Sequence, residues 1–348
     1  MPARPKGRFD GILVSGKAAR MRIPLSVLDL SPVGAGVAPS TAIRESIELA
    51  QVADRLGYTR YWFAEHHNMS SIATSAPEVL IAHAAARTTR IRIGAGGIMV
   101  PNHRPLHVVE VFRTLEALHP GRIDLGLGRA PGTDPTTSSA LRSDAAEVNK
   151  LLAELFAFER GEFPERHPFS RITPMPSDVR LSSIWMLGST LTGAAIAAQL
   201  GVPYAFAGHF AMTGAKQAIA HYRENFEPSP NLAEPYAMLA VTTVCGVDDA
   251  EADRLAAPLR VAIVNSRTGR RMPIPSIEDA LRTEFSPDEQ AIADAFFAGA
   301  AIGGPARVAE LLRAHARDCD ASELMLSTLV PSLDARIASL ERVMQAMQ

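Results

Sequence analysis

Cysteine is almost missing from this chain of 348 residues: Cys245 and Cys319 stand far apart and in no metal-type spacing. That excludes a disulfide framework and a thiolate zinc site, and the pair reads as reduced, mostly buried thiols of a cytoplasmic protein. An excess of either charge is missing too, with 35 Lys and Arg against 37 Asp and Glu. No field therefore favours nucleic acid or an anionic membrane surface. No apolar run reaches the roughly 18 residues of a membrane span. Neither a Walker sequence nor GxGxxG occurs, which disfavours a nucleoside triphosphate or a dinucleotide. The histidines offer no intact helical pair: His66 and His67 are neighbours, and His103 and His107 straddle Pro105. A metal site is not expected from them.

What is present is a 47% hydrophobic share, laid out from residue 23 onward as strand-like runs alternating with helical patterns. That is the signature of a parallel sheet with crossover helices. The strand candidates are Leu25–Leu30, Thr59–Phe63, Ile91–Ile98, Arg122–Leu127, Ile184–Leu187, Val202–Ala207, Tyr236–Val244 and Glu323–Thr328. Eight such strands close a barrel, so the expected fold is α/β, a (β/α)8 TIM barrel, which typically needs about 250 residues. The surplus sits in long insertions after strands 4 and 7, Ala130–Ser183 and Gly246–Gly304, and in residues 1–22. Arg4, Lys6, Arg8, Lys17, Arg20 and Arg22 oppose only Asp10 in that leader. Its apolar centre, Ile12-Leu13-Val14, is too short for a secretory signal. It reads as a flexible basic tail with Met21 a candidate start, and residues 23–348 read as one elaborated barrel rather than two domains. Helix punctuation agrees: Ser40 is expected to cap one helix and Gly57 to stop it, Pro105 to open another, and Ser332 to cap the last.

Several strand ends carry residues suited to chemistry, and in a parallel barrel these ends share the active face. Glu65-His66-His67 follows an apolar strand, and only one of the imidazoles can face the barrel mouth. It fits a base or hydrogen-bond donor, or a pair of loop histidines satisfied by backbone. Gly94-Ala95-Gly96-Gly97 fits close approach of a flat ligand or an ordinary bulge. Gly188-Ser189-Thr190-Leu191-Thr192-Gly193 enters a helix, where free N–H groups and hydroxyls suit a phosphate or a plain cap. Arg129, at another tip, can oppose that phosphate bidentately. These residues read as a barrel enzyme with a phosphate-bearing ligand, without naming the ligand. A sugar-phosphate lyase or isomerase is the competing class, but no candidate strand ends in the lysine its Schiff-base version requires.

The same residues resemble the bacterial-luciferase-like family of flavin-dependent oxidoreductases, particularly its uncharacterised single-chain members. The match runs through Leu28–Val33, Phe63–His67, Ile93–Pro101, Gly121–Gly132, the Gly188–Thr192 turn and Pro203–Ala207. The resemblance implies a monooxygenase that uses reduced FMN and O2, through a flavin C4a hydroperoxide, to oxygenate a small organic substrate. It implies a catalytic role for His66, and phosphate contacts from Arg129, Ser189 and Thr192. A non-prolyl cis peptide at Gly96-Gly97 under the flavin ring is also implied. Partners implied are a separate flavin reductase and a second copy of the chain in a homodimer. His209, after the sixth strand, is a second wall candidate with a structural role equally open. The reactive cysteine of the luciferase α subunit is replaced by Gly128, so no thiol chemistry carries over. Hydride transfer with F420 on the same barrel and non-catalytic flavin binding are the alternatives.

Overall fold

A computed structural model describes residues 23–348, and the basic leader lies outside the described residues. The strands are β1 (Leu25–Asp29), β2 (Arg60–Phe63), β3 (Arg92–Met99), β4 (Ile123–Gly128), β5 (Ile184–Gly188), β6 (Tyr204–Phe206), β7 (Ala237–Cys245), β8 (Ala301–Gly303) and β9 (Glu323–Ser327). Strands β1 to β7 and β9 form a closed parallel barrel: β1 pairs with β2 and β9, β9 with β7, and β7 also with β6. Each of these eight overlaps an expected run. Helices lie outside the staves, as parallel crossovers require.

Strand β8 was not expected. Its three residues, Ala-Ile-Gly, are too few for a periodic signal, and they pair only with the far end of β7, where Val244 opposes Ile302. The cap expected at Ser40 is also corrected. The helix Pro39–Leu56 has Ala38 at its N-cap and Pro39 in its first turn, with no side-chain cap. Proline's fixed φ suits that first position and places the serine inside the helix. Gly57 does close this helix, in the left-handed conformation at φ 85°. Ser332 caps the last helix by accepting from the Ala335 N–H.

Alternation along the staves separates two apolar layers. Val27, Tyr61, Phe63, Ile93, Leu125 and Leu324 face the helices, whereas Leu28, Trp62, Trp185, Met238 and Met325 fill the barrel. Trp62 and Trp185 meet edge to face at 5.2 Å. At the N-terminal end of the staves, the buried Asp124 carboxylate accepts from Arg60 at 2.9 Å, Arg92 at 2.8 Å and the Trp62 indole at 2.9 Å. Arg60 also donates to Glu323. This charged layer closes the barrel interior at its N-terminal end.

The connection from β4 to β5 carries the helices Pro135–Ala140 and Val148–Arg160. That between β7 and β8 carries Asp249–Arg267, Ile277–Arg282 and Pro287–Phe297. None of the helices among the described residues is long and apolar enough to cross a membrane.

Asp54 ties the first helix to the start of β3. Its buried carboxylate accepts from the N–H groups of Thr89, Arg90 and Ile91 at 2.8 to 3.1 Å, and from the Thr89 hydroxyl. Burial pushes its pKa up, but the Thr89, Ile91 and Arg90 N–H groups outweigh this and hold it below 3.8. Asp54→Ala is expected to cost about 1–3 kcal/mol in urea unfolding at neutral pH. Because the folded pKa is depressed, the contribution is present above 3.8 and is lost as pH falls through the folded value. The variant and the parent should therefore converge in acid.

Candidate active site

Strand β2 ends at Phe63, and the side chains of Ala64, Glu65, His66 and His67 continue to alternate beyond it. The His66 N–H donates to the Thr74 carbonyl at 2.8 Å, which fixes this run. Glu65 and His67 fall on one side, with His67 Nε2 3.0 Å from Glu65 Oε1. Ala64 and His66 fall on the other and line a cavity of about 460 Å3 at the C-terminal mouth of the barrel. That size lies within the range of small-molecule sites.

His66 Nδ1 is 3.2 Å from the Gly132 carbonyl. A carbonyl only accepts, so Nδ1 carries the proton in the neutral ring, and the Nε2 lone pair is left free. Burial lowers the His66 pKa, helped by the neighbouring His67, against the Gly132 carbonyl and Glu65, which raise it. The ring is therefore neutral near pH 7.

Arg129, Ser189 and His209 line the same cavity, together with Gly96. Among the described residues, Arg129 makes one long hydrogen bond, 3.4 Å to Asn149 Oδ1, and its buried Nε has no partner. No carboxylate pairs with it among the described residues. The helix Leu191–Leu200 presents its N-terminus to the cavity, and its N-cap, Thr190, makes no side-chain cap. Thr192 is placed differently from Ser189: it lies in the first turn of that helix and does not line the cavity, which Thr190 lines in its stead. His209 is buried, its Nδ1 lacks a partner, and burial together with nearby His66 pushes its pKa down to about 3. It is a neutral wall.

The Gly96-Gly97 peptide is cis, as the resemblance implied, and the β3–β4 register shifts between Ala95 and Ile98. A Cβ on Gly96 would lie 2.8 Å from Leu28 Cδ1 and 3.0 Å from the Trp62 ring; one on Gly97 would lie 2.7 Å from the Gly126 carbonyl. Gly96 thus serves both the packing of Trp62 and the cavity wall. Gly97 packs against β4 and does not line the cavity.

Sequence reasoning missed how central Glu65 is. Its fully buried carboxylate accepts from the Met99 N–H at 2.8 Å and from Asn102 at 3.0 Å, and it contacts His103 at 2.9 Å as well as His67. Burial raises its pKa, but the bond and charge of His103 outweigh this, with Asn102 and the Met99 N–H adding to them, and leave it below 4.5. An acidic residue directly after an all-apolar strand was the available signal. Among the described residues, no cluster of His, Cys, Asp and Glu is arranged to hold a metal.

The family model described as luciferase-like monooxygenase matches residues 23–321. The chain belongs to that family. A luciferase-like monooxygenase of Escherichia coli (strain K12) is 40% identical over 326 residues, covering 92% of this chain and 96% of that protein. An N-acetyl-S-alkylcysteine monooxygenase of Bacillus subtilis (strain 168) is 35% identical over 263 residues, 74% of this chain and 78% of its own. The crystal structure of apo-MsnO8 superposes with a TM-score of 0.85 at 35% identity, covering 93% of this chain and 98% of that one. More distant barrels share the fold alone. The oxygenating constituent of 3,6-diketocamphane monooxygenase from Pseudomonas putida, in complex with FMN, is 18% identical at TM-score 0.69. It covers 93% of this chain and 97% of that one. An F420-dependent secondary alcohol dehydrogenase is 13% identical at TM-score 0.65, covering 94% and 100%. Membership of the luciferase-like monooxygenase family makes this chain an oxidoreductase of the monooxygenase type.

The residues present fit a flavin phosphate. A guanidinium with a buried, unpartnered Nε, two unengaged hydroxyls and a helix N-terminus open onto one cavity, and each of these groups stabilises an anion.

Proposed function

We propose that this protein is a monooxygenase that uses reduced FMN and O2 to oxygenate a small organic substrate. The observation that carries the reading is Arg129. A half-buried cation without a carboxylate partner among the described residues shares its cavity with Ser189, Thr190 and a helix N-terminus, while His66 lines the same space. Arg129, Ser189 and Thr190 would hold the phosphate, with Gly96 against the flavin ring. Thr192 can add its backbone N–H from the first turn of its helix.

Reduced FMN, when bound, would supply the two electrons that activate O2, while O2 itself would supply the atom transferred and its second atom would leave as water. The chain's own residues bind, orient and protect. Leu28, Leu30, Ala64 and Leu187 make the wall apolar, which excludes water from reactive species. Neutral His66, with Nδ1–H committed to Gly132, offers Nε2 to accept a proton or a hydrogen bond. His209 supplies an uncharged polar surface to the same cavity. A separate reductase delivering reduced FMN, and assembly as a homodimer, belong to the same proposal.

Titration with photoreduced FMN and with reduced F420 under anaerobic conditions tests the cofactor. FMN is expected to bind and, on aeration, to be reoxidised at a rate different from that of free reduced FMN, with F420 bound at least about tenfold more weakly; the opposite order would replace monooxygenation by hydride transfer. Tight FMN binding without NADH-coupled oxygen uptake above the enzyme-free level, when a reductase is supplied, would support the non-catalytic alternative. Arg129→Ala is expected to weaken FMN by about ten- to a hundredfold, from the roughly 1.5–3 kcal/mol of a hydrogen bond to a charged group. Riboflavin, which lacks the phosphate, should bind parent and variant alike in the same fluorescence titration.

A further inference from the structure

His66 also lines a second cavity, of about 480 Å3, between the loop after β2 and the turn that follows the helix Asp249–Arg267. The far wall carries Arg270 and Arg271, adjacent in sequence and both on this cavity. Their turn is held over the barrel mouth. The Ile274 N–H donates to Val33 O at 2.9 Å and the Ala35 N–H donates to Ile274 O at 2.7 Å, which stitches the segment to the loop after β1.

Each arginine has a carboxylate beside it, but each carboxylate has other donors. Asp134, 3.1 Å from Arg271, also accepts from the N–H groups of Thr136 and Thr137, the Thr137 hydroxyl and Asn68. It caps the helix Pro135–Ala140 whether or not Arg271 is there. Glu289, which meets Arg270, closes the capping box of the helix Pro287–Phe297 with Ser286. A guanidinium has five N–H donors, so most of those on both arginines remain uncommitted among the described residues. Asp134 is the carboxylate on this cavity, and His67 adds an imidazole ring. Met69, Met272 and Ala262 supply apolar surface beside the charged groups. Met272 is itself 56% exposed, although apolar side chains are ordinarily covered.

We propose that this second cavity is the substrate subsite and that the substrate is a small organic acid. Its carboxylate is held by Arg271 and Arg270, and its apolar body lies against Met69 and Met272 and reaches toward His66. Two forked guanidiniums match a planar carboxylate, and the shared His66 wall connects this subsite with the proposed flavin cavity. The assignment to a substrate rests on the monooxygenase reading; the anion selectivity rests on the arginines alone.

Calorimetric titration of the full chain with octanoate and with octanamide, its uncharged counterpart, tests the subsite. Octanoate is expected to bind at least about tenfold more tightly than octanamide, and Arg271→Gln and Arg270→Gln are each expected to weaken octanoate about tenfold while leaving octanamide unchanged. Met272→Glu, at an exposed position, should also weaken octanoate by adding a carboxylate to the wall, and serves if an arginine variant melts early. Equal affinity for acid and amide, or octanoate binding indifferent to all three substitutions, would overturn the proposal. FMN fluorescence quenching is measured on the same samples. Arginine-dependent octanoate binding without FMN binding removes the flavin reading and keeps the anion subsite, whereas FMN binding without acid selectivity does the reverse.

Discussion

Replacing His66 with alanine is expected to lower turnover by about 10²–10⁴-fold, the usual contribution of a positioned proton-transfer group, while FMN binding changes little. The size follows from the ring's commitment. Nδ1 donates to the Gly132 carbonyl, so the orientation is fixed and Nε2 is the one free nitrogen. Burial keeps the ring neutral below its ordinary 6.5. Protonation must therefore remove the Nε2 lone pair at a pH lower than 6.5, and the parent's rate should fall as pH drops through that depressed value. The variant should lack this acidic limb. His209 cannot supply it, because its pKa lies at about 3. A His66→Ala enzyme with parental turnover and the same acidic limb would remove His66 from the mechanism. A lowered rate that keeps the limb would mean that another group titrates there.

How much of this was legible in the residues depended on how local each feature is. The eight staves announced themselves because each is a buried run bounded by helical periodicity, and burial on both faces makes such runs continuous. Arg129 was legible as a strand-end residue, and Gly96-Gly97 was read at a strand tip although β3 continues through it to Met99. Ser189 and Thr192 were read together because both lie in one Ser/Thr-rich turn, yet the helix begins at Leu191 and turns Thr192 outward, leaving Thr190 on the cavity. An offset of two residues at a helix start is enough to exchange hydroxyls, and helix boundaries are the feature that pattern resolves least sharply. Glu65 and Arg270-Arg271 were legible only as charged residues. The partners of Glu65 come from Met99, Asn102 and His103 on another stave's loop. The arginines reach the mouth through hydrogen bonds between Ile274 and the β1 loop. Neither placement leaves a periodic trace. Strand β8 failed for the simpler reason of length.

Glu65→Ala is expected to be the most destabilising single change at the mouth, by about 3–5 kcal/mol, because it strips a buried charge from partners that stay buried. The Met99 N–H, the Asn102 amide and the rings of His67 and His103 would all lose their acceptor at once. Glu65→Gln keeps the volume but offers one acceptor oxygen in place of two, so an intermediate loss is expected. The two variants also separate charge from shape through pH. Burial lowers the His103 pKa, but its bond and charge contact with Glu65 outweigh this and raise it above 6.5. That contribution is therefore fully present below 6.5 and is lost as pH rises through the folded value. For Glu65 itself the folded pKa is depressed, so its contribution is present above 4.5 and is lost as pH falls. The pair thus stabilises most between the two limits, and urea unfolding of the parent should weaken on both sides of that window. Glu65→Gln should flatten both slopes, since neither charge then has its partner. The consequence reaches function through Met99, whose backbone N–H is held by Glu65 and whose side chain lines the cavity assigned to the flavin. FMN affinity should fall in parallel with stability across the two variants; an Ala variant that unfolds easily yet binds FMN as the parent does would uncouple this carboxylate from the site it braces.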